Sequence, residues 1–256
     1  MPPSKTSQES LSTITIMKYL LLTLALLITP ALAKEDAKLS TTPVAQTAKW
    51  AVKWWMPRHE AKLKEKEALG DVQLVFLGDS ITHAWDNKGK ATLKDNYASY
   101  NALNLGFSGD RTEQVLWHLD HGELDVIKPK AIVIMIGTNN AGHRKEESTK
   151  TAAGIKAILE SVQKKQPQAK VLLLGIFPRG ATSDDPLRQL TDGTNAIIKD
   201  YADNKRVFYL NINDKFLAKD GKLSRTVMAD LLHPNKSQYQ VWADSIAPTL
   251  EVLMAD

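Results

Sequence analysis

The feature that most constrains the fold is a regular alternation of short apolar runs with longer amphipathic stretches. Between the third and fourth runs, Ile155, Ile158, Leu159 and Val162 recur at helical spacing. Strands that alternate with helices pair in parallel through right-handed crossovers. The sequence therefore predicts an α/β fold in which a parallel sheet of about five strands lies between two helix layers. The five strand-length runs cover residues 72–77, 102–105, 131–136, 171–177 and 207–210.

Polar residues with related chemistry follow three of these runs. Gly-Asp-Ser at 78–80 ends the first, Gly-Phe-Ser-Gly-Asp at 106–110 ends the second, and Gly-Thr-Asn-Asn at 137–140 ends the third. A further segment, Asp-Leu-Leu-His at 230–233, precedes the last predicted helix. Because open α/β sheets bind ligands beyond the carboxyl ends of their strands, we expect these segments to meet in one site.

The residue types in these segments fit nucleophilic catalysis. A serine hydroxyl needs a base within hydrogen-bond reach and a third group that orients the base, and Ser80, His233 and Asp230 supply the three types. The oxyanion formed by attack on an ester would be stabilised by the backbone N–H groups of Ser80 and Gly109 and by the amide of Asn139. Each motif alone also occurs in ordinary turns and helix caps. Their joint presence and order favour the catalytic interpretation.

The same motifs carry a resemblance to a known family. Two longer segments, GELDVIKPKAIVIMIGTNN (122–140) and QPQAKVLLLGIFPRG (166–180), are similar to the catalytic subunits of the intracellular platelet-activating factor acetylhydrolases and their bacterial relatives. The likeness spans residues 50–250, to the nearest ten. The blocks that match the SGNH, or GDSL, hydrolases in order are Gly78-Asp79-Ser80, Gly109, Asn139 and Asp230-Leu231-Leu232-His233.

This resemblance implies a fold and a set of roles. The fold would be a three-layer α/β/α sandwich with a flavodoxin-like central sheet, and the chemistry would be ester hydrolysis with no cofactor and no metal. Ser80 would be the nucleophile, His233 the base and Asp230 its partner. The oxyanion hole would consist of Ser80, Gly109 and Asn139.

The N-terminal segment has the pattern of a secretory signal. Within residues 1–33, Met17-Lys18 is followed by a short apolar run and by Ala31-Leu32-Ala33, a typical cleavage site. Met17 is also a well-formed alternative start. We expect residues 1–33 to be removed, 34–48 to form a flexible lead-in, and 49–256 to form the hydrolase domain. The sequence thus predicts export, to the periplasm or the extracellular space.

Composition excludes several classes of protein. The chain has no cysteine, so disulfides and thiolate metal sites are absent. The formal charge is only +4, and Lys62, Lys64 and Lys66 alternate with glutamates as on a solvated helix face, so no nucleic-acid partner is expected. We expect no membrane span after signal cleavage. The sequence is compatible with a homodimer.

The remaining histidines raise a second question. His118 and His121 stand three residues apart, with Asp120 and Glu123 nearby, and such a set can bind a metal. We instead expect both histidines to be exposed at a helix end, and His59 to have a structural role in the N-terminal helix. A metal-dependent phosphodiesterase is disfavoured because the predicted sheet edge has no carboxylate-histidine cluster beyond Asp79, Asp230 and His233.

Three functions are consistent with the sequence. The first is a secreted serine esterase that hydrolyses short-chain esters, above all acetyl esters, through an acyl-enzyme, with a small-molecule or glycan ester as substrate. The second is a carbohydrate O-deacetylase, favoured by export and by Trp50, Trp54 and Trp55, which are able to stack on sugars. Such a cluster more often packs a helix onto the core, and the sequence leaves both roles open. The third is an inactive binding module, which would be expected to lack one of the motif residues.

Overall fold

The computed structural model describes residues 38–255. Five strands form one sheet in the order β2-β1-β3-β4-β5, and every pair is parallel. The strands are β1 (Leu74–Gly78), β2 (Leu103–Gly106), β3 (Ala131–Met135), β4 (Lys170–Leu174) and β5 (Val207–Leu210). The α-helices are α1 (Trp55–Leu69), α2 (Ser80–His83), α3 (Lys90–Tyr97), α4 (Thr112–Asp120), α5 (Thr138–Arg144), α6 (Ser148–Lys165), α7 (Pro186–Ile198) and α8 (Gln238–Met254).

The sheet is buried on both faces, as continuous apolar strands require. Val75 and Leu77 face one layer, where they join the buried sides of α4 and α6. Leu74 and Phe76 face the other layer, built largely by α8. Burial of each large apolar side chain contributes about 1.5–3 kcal/mol relative to exposure. The predicted α/β/α sandwich with a five-stranded parallel sheet is confirmed.

The fourth strand is shorter than its apolar run. The sequence predicts a strand over 171–177, but β4 ends at Leu174. The side chain of Asn195, on α7, forms hydrogen bonds with both backbone polar groups of Ile176. Its Oδ1 accepts from Ile176 N at 2.7 Å, and its Nδ2 donates to Ile176 O at 2.9 Å. These bonds end the ladder, so the chain turns toward the carboxyl edge of the sheet.

Helix α1 carries lysines that are not solvated as the sequence suggested. Lys62 and Lys66 are 4% and 5% exposed. The Lys62 ammonium pairs with Glu65 at 2.8 Å and with Asp86 at 3.0 Å, while Lys66 Nζ donates to the carbonyl of Gly122. The expectation of a solvated face is therefore wrong for these two residues, because α1 lies against the body of the domain.

All the elements above belong to one compact unit, which begins at Ser40. Ser40 is buried, and Val44 N donates to Glu113 O at 3.1 Å. The predicted signal over 1–33 lies outside the described residues. Within residues 38–255, no helix is long and apolar enough to cross a bilayer.

Candidate active site

Ser80 lies where strand β1 gives way to the short helix α2. Asp79 caps this helix, because its Oδ1 accepts from Ile81 N at 3.0 Å. Gly78 ends the strand, and a Cβ there would lie 2.3 Å from Met135 O on the neighbouring strand. Only glycine therefore fits this position, and the turn that follows projects a partly exposed Ser80 from the sheet edge.

Three distant residues form a continuous hydrogen-bonded chain at this edge. Ser80 Oγ lies 2.9 Å from His233 Nε2, and His233 Nδ1 lies 2.6 Å from Asp230 Oδ2. The serine and histidine are 153 positions apart in sequence. Since the carboxylate accepts the proton of Nδ1, Nε2 is left to accept from the hydroxyl, and the histidine is placed to remove that proton.

The Asp230–His233 turn holds the carboxylate rigidly. Leu231 has φ 59°, an unusual value for a residue with a Cβ, which costs about 1 kcal/mol. In return, Asp230 Oδ1 accepts from the backbone N–H groups of Leu232 at 3.1 Å and His233 at 2.8 Å. Partial burial favours the neutral acid, but the bonds and charge of His233 outweigh it and lower the pKa of Asp230 to about 2.

Potential oxyanion donors come from three strand ends. The backbone N–H groups of Ser80 and Gly109 have no acceptor among residues 38–255. Gly109 has φ +79°, which favours a residue without Cβ. The buried Asn139 donates one amide hydrogen to Asp110 O at 2.9 Å, which fixes the amide and leaves its second hydrogen available. Such donors can stabilise a developing negative charge.

A second carboxyl group lies directly below the serine. Asp79 is 1% exposed. Burial, with a smaller contribution from the nearby Asp110, raises the pKa of Asp79 to about 7, although the bond from Ile81 N opposes the shift. Asp79 is therefore largely neutral below pH 7, and its role as a cap does not require a charge.

The side chain of Arg179 reaches this edge without having been singled out in the sequence. Its Nη1 donates to the carbonyl of Thr138 at 2.7 Å, next to Asn139. Burial lowers the pKa of Arg179, although Asp185, Asp79 and Asp230 oppose the shift. Its position in the sequence could have predicted this location, because Arg179 follows the fourth apolar run just as Ser80, Gly109 and Asn139 follow the first three.

The histidine set behaves differently from the expectation. His118 is 1% exposed, so its predicted exposure is wrong: α1 covers α4, and His59 on α1 lies beside it. His121 is exposed and stacks on Trp117 with ring centroids 3.6 Å apart, as expected at a helix end. His59 is also buried, beside Glu123.

The α/β sandwich and the serine at its carboxyl edge agree with comparisons to known proteins, which define the chain as an ester hydrolase. Residues 76–241 match the GDSL-like lipase/acylhydrolase family. The chain belongs to this family.

Individual relatives give the same result. Platelet-activating factor acetylhydrolase IB subunit alpha1 of Bos taurus is 37% identical over 189 residues, which cover 72% of this chain and 77% of the relative. The alpha2 subunit of Gallus gallus is 36% identical, with coverages of 78% and 83%.

Solved structures share the fold at lower identity. A GDSL-like lipase of Bacteroides thetaiotaomicron superposes with a TM-score of 0.60 at 21% identity, covering 75% of this chain and 97% of that one. A catalytic mutant of an acetylxylan esterase from Geobacillus stearothermophilus has a TM-score of 0.56 at 17% identity, with coverages of 70% and 94%. At these identities the likeness shows the fold alone.

Proposed function

We propose that this protein is an exported serine esterase that removes short acyl groups, above all acetyl, through an acyl-enzyme. The observation that carries the proposal is the hydrogen-bonded chain from Ser80 Oγ through His233 to Asp230. These three hydrogen-bonded side chains supply both the base and the group that orients the base, which together activate a serine. Residues 1–33 supply the secretory pattern that supports export.

Each residue has a defined role in this proposal. Ser80 Oγ attacks the ester carbonyl carbon while His233 Nε2 takes its proton, and the ionised Asp230 stabilises the imidazolium. The carbonyl oxygen, now negative, accepts from the N–H groups of Ser80 and Gly109 and from the Asn139 amide.

The intermediate then collapses, and the ester C–O bond breaks. His233 returns the proton to the leaving alcohol, which leaves the acyl group on Ser80. Water attacks the acyl-enzyme with His233 again as base, and the same donors stabilise the second oxyanion. The bond from Ser80 Oγ to the acyl carbon then breaks, and His233 returns the proton to Ser80, so that acetate and free enzyme result.

The preference for acetyl rests on similarity. The relatives that are 36–37% identical are named as acetylhydrolases, and a structural neighbour is named as an acetylxylan esterase. Both names describe removal of the same two-carbon acyl group from very different alcohols. We therefore propose that the residues around Ser80 determine the preference for acetyl, and that residues at the rim of the site determine which alcohol is accepted.

The rim favours a carbohydrate O-deacetylase as a second, more specific candidate. Trp50 is 55% exposed and lies against Gly109, where a Cβ would come 2.1 Å from its ring. Trp54 continues this aromatic surface, with its ring 6.1 Å from Trp50 and 5.8 Å from His83, one turn after Ser80. Exposed tryptophan faces beside an oxyanion donor are suited to stack on a sugar ring.

The first experiment measures hydrolysis of p-nitrophenyl esters of graded chain length. We expect the acetyl ester to be turned over fastest and Ser80→Ala to lower kcat by roughly 10⁴-fold or more, with the fold retained by circular dichroism. Ser99→Ala is the matched control, because Ser99 is exposed at the opposite end of the sheet, before β2. Unchanged turnover in Ser80→Ala would refute the assignment.

The second experiment compares acetate release from acetylated xylan and from an acetyl-phospholipid. If the tryptophan surface binds sugar, Trp50→Ala raises KM for the xylan several-fold and leaves KM for p-nitrophenyl acetate nearly unchanged. Val52→Ala serves as control, since Val52 is a similarly exposed neighbour. A preference for the phospholipid, with no effect of Trp50→Ala on xylan, rejects the carbohydrate candidate but keeps the esterase.

A further inference from the structure

Away from the catalytic serine, three ligating atoms converge in the interior. His118 Nδ1 lies 2.9 Å from His59 Nδ1 and 3.1 Å from Glu123 Oε1, and His59 Nδ1 lies 3.3 Å from the same oxygen. The three side chains come from α1, from α4 and from the segment after α4. All three residues are at most 4% exposed.

These separations of 2.9, 3.1 and 3.3 Å are close to, and slightly shorter than, the edges of a metal coordination tetrahedron. Zinc binds imidazole nitrogen and carboxylate oxygen at about 2.0–2.2 Å, so ligand atoms around a tetrahedral ion lie about 3.3–3.5 Å apart. The two histidines and the glutamate therefore form one nearly complete face. Glu123 Oε2, which is buried and has no hydrogen-bond partner among the described residues, belongs to the same carboxylate and would be stabilised by a cation bound at Oε1.

The surroundings of the cluster resemble the support that metal-bound histidines require. The other ring nitrogen of His118, Nε2, lies 3.1 Å from Asp110 Oδ2, and Asp110 Oδ1 accepts from Trp55 Nε1 at 2.8 Å. A carboxylate on the far nitrogen orients the ring and increases its basicity toward a metal.

The buried acidic side chains also favour a cation at this position. Asp110 and Glu123 are both 0% exposed. The nearby Lys66 ammonium donates to the Gly122 carbonyl rather than to Glu123. A divalent ion would satisfy the converging lone pairs of His59, His118 and Glu123.

We propose that His59, His118 and Glu123 bind one structural zinc ion, with Asp110 as the supporting carboxylate. The ion joins α1 to α4 and to the segment that leads into β3. It also fixes Asp110, whose backbone carbonyl holds the Asn139 amide at 2.9 Å. The cluster is closed to substrate, so it contributes no group to the ester chemistry itself.

The experiment measures metal content in tag-free protein purified without chelator. We expect mass spectrometry to find about one zinc per chain in the wild type, and a strong chelator to lower Tm by roughly 5–10 °C, reversed by added Zn²⁺. Co²⁺ added to the stripped protein should give visible d–d absorption. The readout does not depend on hydrolysis, so its outcome is separate from that of the proposed function.

Two variants and a control locate the ion. His59→Gln and Glu123→Gln should each lose the bound zinc and the cobalt absorption, whereas His121→Gln, at an exposed histidine of the same region, should keep both. His59→Gln leaves the His118–Asp110 pair in place and is the milder change for folding. The proposal is overturned if wild-type protein neither contains nor takes up the metal, or if both variants retain it.

Discussion

Two histidine–carboxylate pairs in this protein share their residue types and differ in their surroundings. His233 Nδ1 lies 2.6 Å from Asp230, and the two side chains are 32% and 56% exposed. His118 Nε2 lies 3.1 Å from Asp110, and these side chains are 1% and 0% exposed. The exposed pair can exchange protons with substrate and solvent, whereas the buried pair can only hold its neighbours in place.

The carboxyl pKa values shift in opposite directions for a physical reason. Burial raises the pKa of Asp110 despite the bonds from His118 and Trp55. For Asp230, partial burial also favours the neutral acid, but the bonds and charge of His233 together with the bond from Leu232 N outweigh it and lower the pKa to about 2. The comparison shows that residue types alone do not assign a role, because solvent access decides which protonation state is stable.

The largest effect should come from the exposed pair. We expect His233→Gln to lower kcat/KM for p-nitrophenyl acetate by roughly 10⁴-fold, because no base remains to take the Ser80 proton. Tm should change little, since the ring is partly exposed. Steady-state kinetics and thermal denaturation measure the two quantities on the same samples. Activity within tenfold of the wild type would contradict the assignment of His233 as the catalytic base.

The buried pair should show the reverse pattern. His118→Gln removes the imidazole ring that both Asp110 and Glu123 contact in the interior, and we expect it to lower the free energy of unfolding by about 3–5 kcal/mol. Urea denaturation measures this loss, and His121→Gln should change stability by less than about 0.5 kcal/mol. If His118→Gln kept full stability and abolished hydrolysis, the buried pair would have a catalytic role and not the structural role assigned to it.

These two regions also differ in how well the sequence predicts them. The strands were predictable because runs such as 131–136 and 207–210 are continuously apolar, and β3 and β5 begin where those runs begin. Ser80 and His233 follow from local motifs whose meeting point is set by the parallel sheet. Their 2.9 Å contact agrees with the expected convergence.

The buried cluster was not predictable in the same way. Helix α4 is buried on nearly all sides, since α1 covers the face that carries His118. Helical periodicity reports how polar a face is and not whether another helix covers it. Lys66 on α1 shows the same effect, because its buried ammonium finds a carbonyl partner 56 residues away. Such long-range covering leaves no local signal.

A third prediction concerns the residue that joins the two regions. The Asn139 amide is held by the backbone carbonyl of Asp110, so it links the buried pair to the serine. Removal of one oxyanion donor costs about 10²–10³-fold in kcat, and we expect Asn139→Ala to fall in this range with KM little changed. Stopped-flow or steady-state measurement with p-nitrophenyl acetate gives kcat. A tenfold or smaller loss would mean that the amide does not reach the developing charge.

The smallest expected effect, about 1.4 kcal/mol in unfolding free energy for each pH unit, concerns Asp79. Its pKa is about 7 in the folded protein and 3.8 in the reference state. Between these values the unfolded chain has released a proton that the folded protein keeps, so rising pH favours unfolding. Ionisation of Asp79 in the unfolded chain therefore lowers the free energy of unfolding by about 1.4 kcal/mol per pH unit from about pH 4 to pH 7. Above that range this contribution no longer changes with pH.

Asp79→Asn tests this contribution directly. Asparagine keeps the Oδ1 cap on Ile81 N and cannot ionise, so the free energy of unfolding of the variant relative to the wild type should increase between pH 5 and pH 7. Urea denaturation at several pH values measures the difference, and any packing change adds only a constant offset. A difference that stays flat over this interval would show that Asp79 is ionised throughout. In that case the buried region around Asp110 would tolerate more negative charge than its low exposure implies.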